Sequence, residues 1–273
     1  MQLKAFLISV FTSVCLFACT NDKPADNGQA SANPPANSKL TELENQLQKE
    51  PQVDSIREQF VEQLVQSNQY DKALAQVETL LQKQPGNPAY LFMKADALER
   101  KGDTANAIAS YERSIAAAGL FTEAELRLAS LYAETGNKKA EVLCDALLKD
   151  ANAIEFRSDI LFVKAAYYYK IKQSSKALAV YNQIIREDYT YLDAYIEKGL
   201  IFYDQKKFEE AHNVFTQSTN VSNKFADGYF WMAKAEEKLN RTAEAIDNYK
   251  RSLALDQSIT EAKDALKRLG AAK

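Results

Sequence analysis

From Tyr229 to Asp256 the chain reads YFWMAKAEEKLNRTAEAIDNYKRSLALD. Apolar residues recur there three and four positions apart, the spacing of one face of an α-helix. The pattern breaks at Leu239-Asn240-Arg241-Thr242, which predicts two amphipathic helices of about a dozen residues each. Ala233 and Ala245 fall where the two helices would touch, with Tyr229, Met232, Ile246, Tyr249 and Leu253 around them. The same arrangement recurs 34 residues earlier around Gly199 and Ala211, and 34 earlier again around Ala165 and Ala177. A fixed period of this length is the mark of a repeat architecture.

Read along the whole chain, two series run in parallel. Ala73, Ala107, Ala140, Ala177, Ala211 and Ala245 mark the second helix of each pair, at spacings of 34, 33, 37, 34 and 34. Val61, Ala95, Ala129, Ala165, Gly199 and Ala233 mark the first helix with the same period. The physical requirement is close approach: a side chain no larger than Ala at both positions lets the helices of a pair pack tightly. One pair cannot bury its apolar face alone, so pairs stack.

These residues resemble the tetratricopeptide repeat (TPR) from Asp54 to about Ile259. That family places a large residue at position 4, small ones at 8 and 20, an aromatic at 24, a Gly near 15 and a Pro at 32. In the second repeat the matching residues are Leu91, Ala95, Gly102, Ala107 and Tyr111. In the fourth they are Leu161, Ala165, Ala177 and Tyr181, and in the sixth Tyr229, Ala233, Ala245 and Tyr249. Pro85 matches the repeat-ending proline of the first. At the turn, Gly102 and Gly136 match, Asn68 and Asn240 substitute, and Lys172 and Lys206 depart from the pattern. The resemblance implies an all-α protein: a right-handed TPR superhelix, or α-solenoid, of about six helix-turn-helix repeats. An N-terminal helix (39–53) precedes repeats one to three (54–153) and four to six (158–259), and a capping helix and tail (260–273) follow. About three extra residues at 154–157 read either as a longer inter-repeat loop or as a hinge between the halves.

Ahead of the array, Lys4 precedes an uncharged apolar run from Ala5 to Ala18. The run is shorter than the roughly 20 residues a membrane-spanning helix needs, and has the layout of a secretory signal peptide, 1–18. It ends Leu16-Phe17-Ala18-Cys19, which resembles the lipobox of bacterial lipoproteins and implies cleavage before Cys19 and acylation of that residue. The tract from Thr20 to Ser38 holds no Val, Ile, Leu, Met or aromatic residue and three prolines. It reads, with Cys19, as an acylated disordered tether, 19–38. Thr20, in place of an Asp after the Cys, implies by the same resemblance an outer-membrane location facing the periplasm.

The formal net charge of −3, with no Lys/Arg-rich run, argues against a nucleic-acid partner. With Cys15 removed and Cys19 acylated, Cys144 is left as a lone thiol, which excludes an intramolecular disulfide framework and a Cys-based zinc site. His212 is the single histidine and reads as a surface residue, so neither a metal site nor a cofactor is expected. Glu209-Glu210 and Glu236-Glu237 read as solvated helix faces, because adjacent helical residues point in different directions. No phosphate-binding loop or nucleophile elbow appears, and catalysis is not expected.

In the family the first helices line the concave wall. The resemblance therefore puts Phe92, Leu126, Phe162, Ile196 and Phe230 (position 5) and Tyr169 and Tyr203 (position 12) on a protein-binding groove. Asp159, Asp193, Asp227, Lys170 and Lys234 border it, with Asp193 and Lys234 setting the direction of a bound segment. The alternative is that the stripe is ordinary packing. Glu58, Glu62, Ala89 and Met93 stand where chaperone-binding members carry a basic carboxylate clamp, which argues against that activity. The function implied is a non-enzymatic scaffold for protein partners of the cell envelope, held at the membrane by its lipid. The competing class is a receptor lipoprotein that takes a glycan or peptide in the aromatic groove.

Overall fold

The computed structural model describes residues 36–271. Cys19, the signal peptide and the tract up to Pro35 lie outside the described residues. Among those described there are 14 α-helices and no strand. Helix α1 (Ala36–Lys49) is followed by six hairpins. These are α2 (Asp54–Gln66) with α3 (Tyr70–Lys83), α4 (Pro88–Lys101) with α5 (Thr104–Ala118), and α6 (Thr122–Glu134) with α7 (Lys139–Leu147). Then come α8 (Arg157–Lys170) with α9 (Ser174–Glu187), α10 (Leu192–Asp204) with α11 (Phe208–Val221), and α12 (Ala226–Lys238) with α13 (Thr242–Leu255). Helix α14 (Thr260–Arg268) closes the array. The first helix thus starts three residues ahead of the expected Lys39, directly after Pro35; proline disfavours helix for the residue before it and not for those after.

Local signals explain several boundaries. The Asn87 side chain accepts from the backbone N–H of Ala89 at 2.9 Å and of Tyr90 at 3.4 Å, with Pro88 in the first turn of α4. Asp103 caps α5 by accepting from the N–H of Asn106. The hairpin turns share one device. Asn68, Gly102, Gly136, Lys172, Lys206 and Asn240 all have φ between 58° and 88°. At Lys206, its own N–H donates to the Tyr203 carbonyl and that of Lys207 to the Phe202 carbonyl, both at 2.9 Å. This paired closure is a Schellman motif, and the same pairing recurs at all six turns. The two lysines, which departed from the sequence pattern, are therefore held in a left-handed conformation that costs a non-Gly residue roughly 1–2 kcal/mol. Lys172→Gly and Lys206→Gly should each stabilise the protein by about 0.5–1 kcal/mol, after the greater entropy of an unfolded glycine is subtracted. Thermal melting of the single and double variants checks this; an unchanged or lower Tm counts against it.

The small residues do what close packing requires. Ala73, Ala95, Ala107, Ala129, Ala140, Ala165, Ala177, Ala211, Ala233 and Ala245 are all at 0% exposure, and Gly199 is buried with them. Each hairpin packs on the next, and first helices also lie side by side: α2 with α4, α6 with α8, α10 with α12. The extra residues form a short 3-10 segment, Ala151–Phe156. Ala153 is buried there at 1% exposure, while Ile154 points outward. One apolar core runs from Ala95 to Ile201 through this segment, so the insertion lengthens a connection without dividing the core. The ends are closed by amphipathic helices. α1 buries Leu43 and Leu47, α14 buries Ala262, Ala265 and Leu266, and most of their remaining side chains are exposed and polar.

Candidate partner-binding groove

The wall formed by the first helices differs from the expected stripe. Leu126, Phe162, Ile196 and Phe230 are only 5–9% exposed. The Phe162 ring lies 5.6 Å from both Tyr181, edge-on, and Tyr191. Phe92 is half-buried and stands in the same way between Tyr111, at 5.6 Å, and Phe121, at 5.0 Å. Position 5 precedes the small residue at 8 by three, so both share the face turned to the second helix. As a contact surface, Leu126, Phe162, Ile196 and Phe230 are therefore corrected: these buried side chains pack within and between hairpins, and of the position-5 series only Phe92 stays partly exposed.

What the wall offers to solvent lies beside that series. Tyr169 and Tyr203 are half-buried, as is Trp231, a residue at position 6 that the sequence pattern did not single out. Tyr203 meets Phe208 at 5.2 Å and Trp231 at 6.1 Å, both edge to face. Trp231 in turn stacks on Phe215 at 6.1 Å. The Lys234 ammonium sits 4.9 Å from the Trp231 ring centre and 5.4 Å from that of Phe230. It is thus engaged with the rings of its own helix, and burial pulls its pKa down.

Carboxylates line the C-terminal half of this wall. Asp159, Asp193 and Asp227 recur at one position of consecutive repeats. Desolvation by the surrounding wall raises all three pKa values, although the Asp193 side chain is itself exposed; Asp159 acts on Asp193, and Asp193 on Asp227, in the same direction. Asp159 accepts from the Tyr191 hydroxyl at 2.7 Å, which offsets part of its shift. Glu197, one turn after Asp193 on α10, is pushed up to about 7 by burial first and then by Asp193 and Asp204. Asp204 accepts from the Tyr169 hydroxyl.

Two sequence expectations away from the groove are also corrected. His212 is half-buried, and Glu236 is only 4% exposed. The Glu236 carboxylate accepts from Asn248 Nδ2 at 2.9 and 3.0 Å and lies 3.1 Å from His212 Nε2, tying α11, α12 and α13 together. Adjacent glutamates do diverge: Glu236 turns into this interface, and Glu237 turns to Tyr249 and Arg268. Cys144 is buried, and burial pushes its thiol up to about 12, which makes it unreactive at neutral pH. Among the described residues, no helix is long and apolar enough to cross a membrane.

Stacked helical hairpins with a first-helix wall define an α-solenoid. The family model for the tetratricopeptide repeat matches residues 60–120 and 196–262, and the chain carries repeats of that family. Solved structures agree on the fold. A tetratricopeptide repeat protein from Parabacteroides merdae superposes with a TM-score of 0.67 at 17% identity, covering 86% of this chain and 92% of that one. PilW, described as a widely conserved type IV pilus biogenesis factor, gives 0.63 at 17% identity over 79% of this chain and 98% of its own. PilF of Pseudomonas aeruginosa gives 0.54 at 13% identity over the same shares, 79% and 98%. No curated protein matches the chain in sequence.

Proposed function

We propose that this protein is a non-enzymatic scaffold that holds an extended segment of a partner protein on the first-helix wall of repeats four to six. The observation that carries this is the run of partly exposed Tyr169, Tyr203 and Trp231 flanked by the Asp159, Asp193 and Asp227 series. Partly exposed aromatic surface of this kind marks interaction sites. Tyr203 and Trp231 meet at 72°, edge to face, so the two rings do not form one flat platform on which a sugar ring could stack. That geometry favours a polypeptide over a glycan. The scaffold is proposed to act in the cell envelope, acylated at Cys19 and facing the periplasm from the outer membrane, in support of which stand the apolar leader, the Cys and the polar tract behind it.

Two experiments test this. Partners are captured from native membranes and identified by crosslinking, then bound again by a Tyr203→Ala, Trp231→Ala double variant. Interface aromatics each contribute about 2 kcal/mol or more, so capture should fall at least ~30-fold while helicity at the assay temperature is kept; Asn213→Ala, on the exposed side of α11, should change nothing. Equal capture by the double variant would move binding off this wall. For the anchor, mass spectrometry of the mature N-terminus should show acyl chains on Cys19 that are absent after Cys19→Ala; an unmodified wild-type terminus rejects the lipoprotein part alone.

A further inference from the structure

Three junctions between hairpins carry a tyrosine at position 24, and two of them are chemically complete. At the junction of the second and third hairpins, the Tyr111 hydroxyl donates to Glu99 at 2.7 Å. Arg127, from the next first helix, reaches Glu99 at 3.4 Å and Asp96 at 2.9 Å. At the junction with α14, the Tyr249 hydroxyl donates to Glu237 at 2.6 Å, and Arg268 forks onto the same carboxylate at 2.6 and 2.8 Å. Phenol, carboxylate and guanidinium thus form one recurring unit.

The junction of the fourth and fifth hairpins keeps the phenol and changes the rest. Tyr181 corresponds to Tyr111 and Tyr249, but the residue twelve before it is Tyr169 in place of a glutamate. A carboxylate, Glu197, stands where Arg127 stands, and Leu200 stands where Arg268 does. No hydrogen bond or ion pair engages Glu197; its charged neighbours are Asp193 and Asp204, which repel it. Lys198, the next residue, feels burial and no carboxylate. Tyr181 is at 0% exposure, and its hydroxyl has no hydrogen-bond partner. Beyond burial, the charges of Glu197, Tyr191 and Tyr169 raise its pKa. A buried phenol without a partner is costly, and the register that sets Arg127 beside Tyr111 assigns this phenol a half-buried carboxylate, Glu197, that is also unpartnered.

We infer that this junction receives the guanidinium of an arginine on the partner polypeptide, with Glu197 as counter-ion and the oxygen of half-buried Tyr169, which donates its proton to Asp204, as hydroxyl partner. The inference rests on the protein-binding reading and names the partner's chemistry. Arginine fits because its planar fork satisfies a carboxylate and a phenol together, as Arg127 and Arg268 do within this chain. A metal ion does not fit, since no group of three His, Cys, Asp or Glu is placed to hold one among the described residues. The partner's cation completes, between molecules, the unit that the other two junctions complete internally.

The test uses the full chain and four heptapeptide pools, randomised except for a central arginine, lysine, citrulline or glutamate. The arginine pool should bind at least tenfold more tightly than the citrulline pool, which has the same shape without the charge, and the glutamate pool should bind least. Glu197→Gln should bring arginine down to the citrulline level, and Tyr169→Phe, which removes a hydroxyl without changing charge, should weaken arginine about three- to tenfold. Glu210→Gln, exposed on α11, should leave the preference intact. The inference is overturned if arginine and citrulline pools bind alike, if Glu197→Gln keeps the preference, or if spermidine displaces the arginine pool as well as free arginine peptide does, which would make this a polyamine site. Partner capture that depends on Tyr203 and Trp231 without any arginine preference would overturn this inference and leave the scaffold reading standing.

Discussion

Gly199→Ala is expected to destabilise the protein by about 1–2 kcal/mol, although alanine is the better helix former. Two effects of opposite sign compete. Replacing glycine inside α10 should gain roughly 1 kcal/mol of helix propensity. Against that, a Cβ at this position would lie 2.2 Å from Cε1 of Phe215 and 2.6 Å from its Cζ, inside any allowed contact. Phe215 is at 0% exposure, so its ring has no free space into which to move, and overpacking of this kind costs about 1–3 kcal/mol, occasionally more. The other hairpins with an aromatic at position 24 carry Ala at position 8: Ala95 with Tyr111, Ala165 with Tyr181, Ala233 with Tyr249. In the fifth, the phenylalanine ring occupies the volume where that methyl would be. Phe215→Leu in the Gly199→Ala background should therefore recover at least half of the loss, and a double-mutant cycle should show coupling between the two sites. Because Trp231 stacks on Phe215, the single variant should also alter Trp231 fluorescence, linking this packing contact to the binding wall. A Gly199→Ala protein that melts at or above the wild-type temperature would show that propensity wins and that the ring is not confined.

Much of the fold was legible because its strictest requirement is on side-chain size. A helix pair that approaches closely demands small residues at fixed positions, and such a demand leaves a periodic trace that polarity alone would not. The turns were harder to read. Lys172 and Lys206 look like failures of the pattern, yet both adopt the left-handed φ of the glycine turns. The paired carbonyl hydrogen bonds, together with packing of the two helices, outweigh a side-chain preference of about 1–2 kcal/mol.

The site was less legible, for a geometric reason. Assigning position 5 to the groove places Phe162, Ile196 and Phe230 on the wall, but each stands three residues before the small residue at 8 and shares its buried face. The partly exposed residues, Trp231 and Glu197, are one position further on. A signal was available in the sequence: position 6 alternates in character, reading Met93, Arg127, Val163, Glu197 and Trp231, where a purely structural position would stay apolar. Burial of Glu236 beside His212 had no such signal. Adjacent helical glutamates diverge, but which of them turns inward depends on Asn248, twelve residues away.

The pH dependence of stability should carry the imprint of Glu197. Its carboxyl is pushed up to about 7, against roughly 4.3 for an unfolded glutamate. Between those values the folded chain holds a proton that the unfolded chain has released, so stability falls as pH rises through this window and levels off above it. At about 1.4 kcal/mol per unit, reduced because the group is partly solvated, the loss is on the order of 2–3 kcal/mol by pH 8. Asp193 and Asp204 of the same helix raise this carboxyl, its charge in turn raises Tyr169 of α8 and Tyr181 of α9, and none of these groups supplies positive charge. Glu197→Gln keeps the shape and removes the ionisation. The variant should match the wild type at pH 4 and exceed it by most of that amount at pH 8, with melting curves at pH 4, 5, 6, 7 and 8 as the measurement. Asp159, Asp193 and Asp227, also raised, should leave the variant a shallower slope in the same direction, so the prediction concerns the difference between the two proteins. Parallel curves would place the ionised carboxylate in ordinary solvent and remove the reason to give it a counter-ion. Curves that diverge as expected would mean that the free protein is least stable at the pH where a bound arginine would stabilise it most.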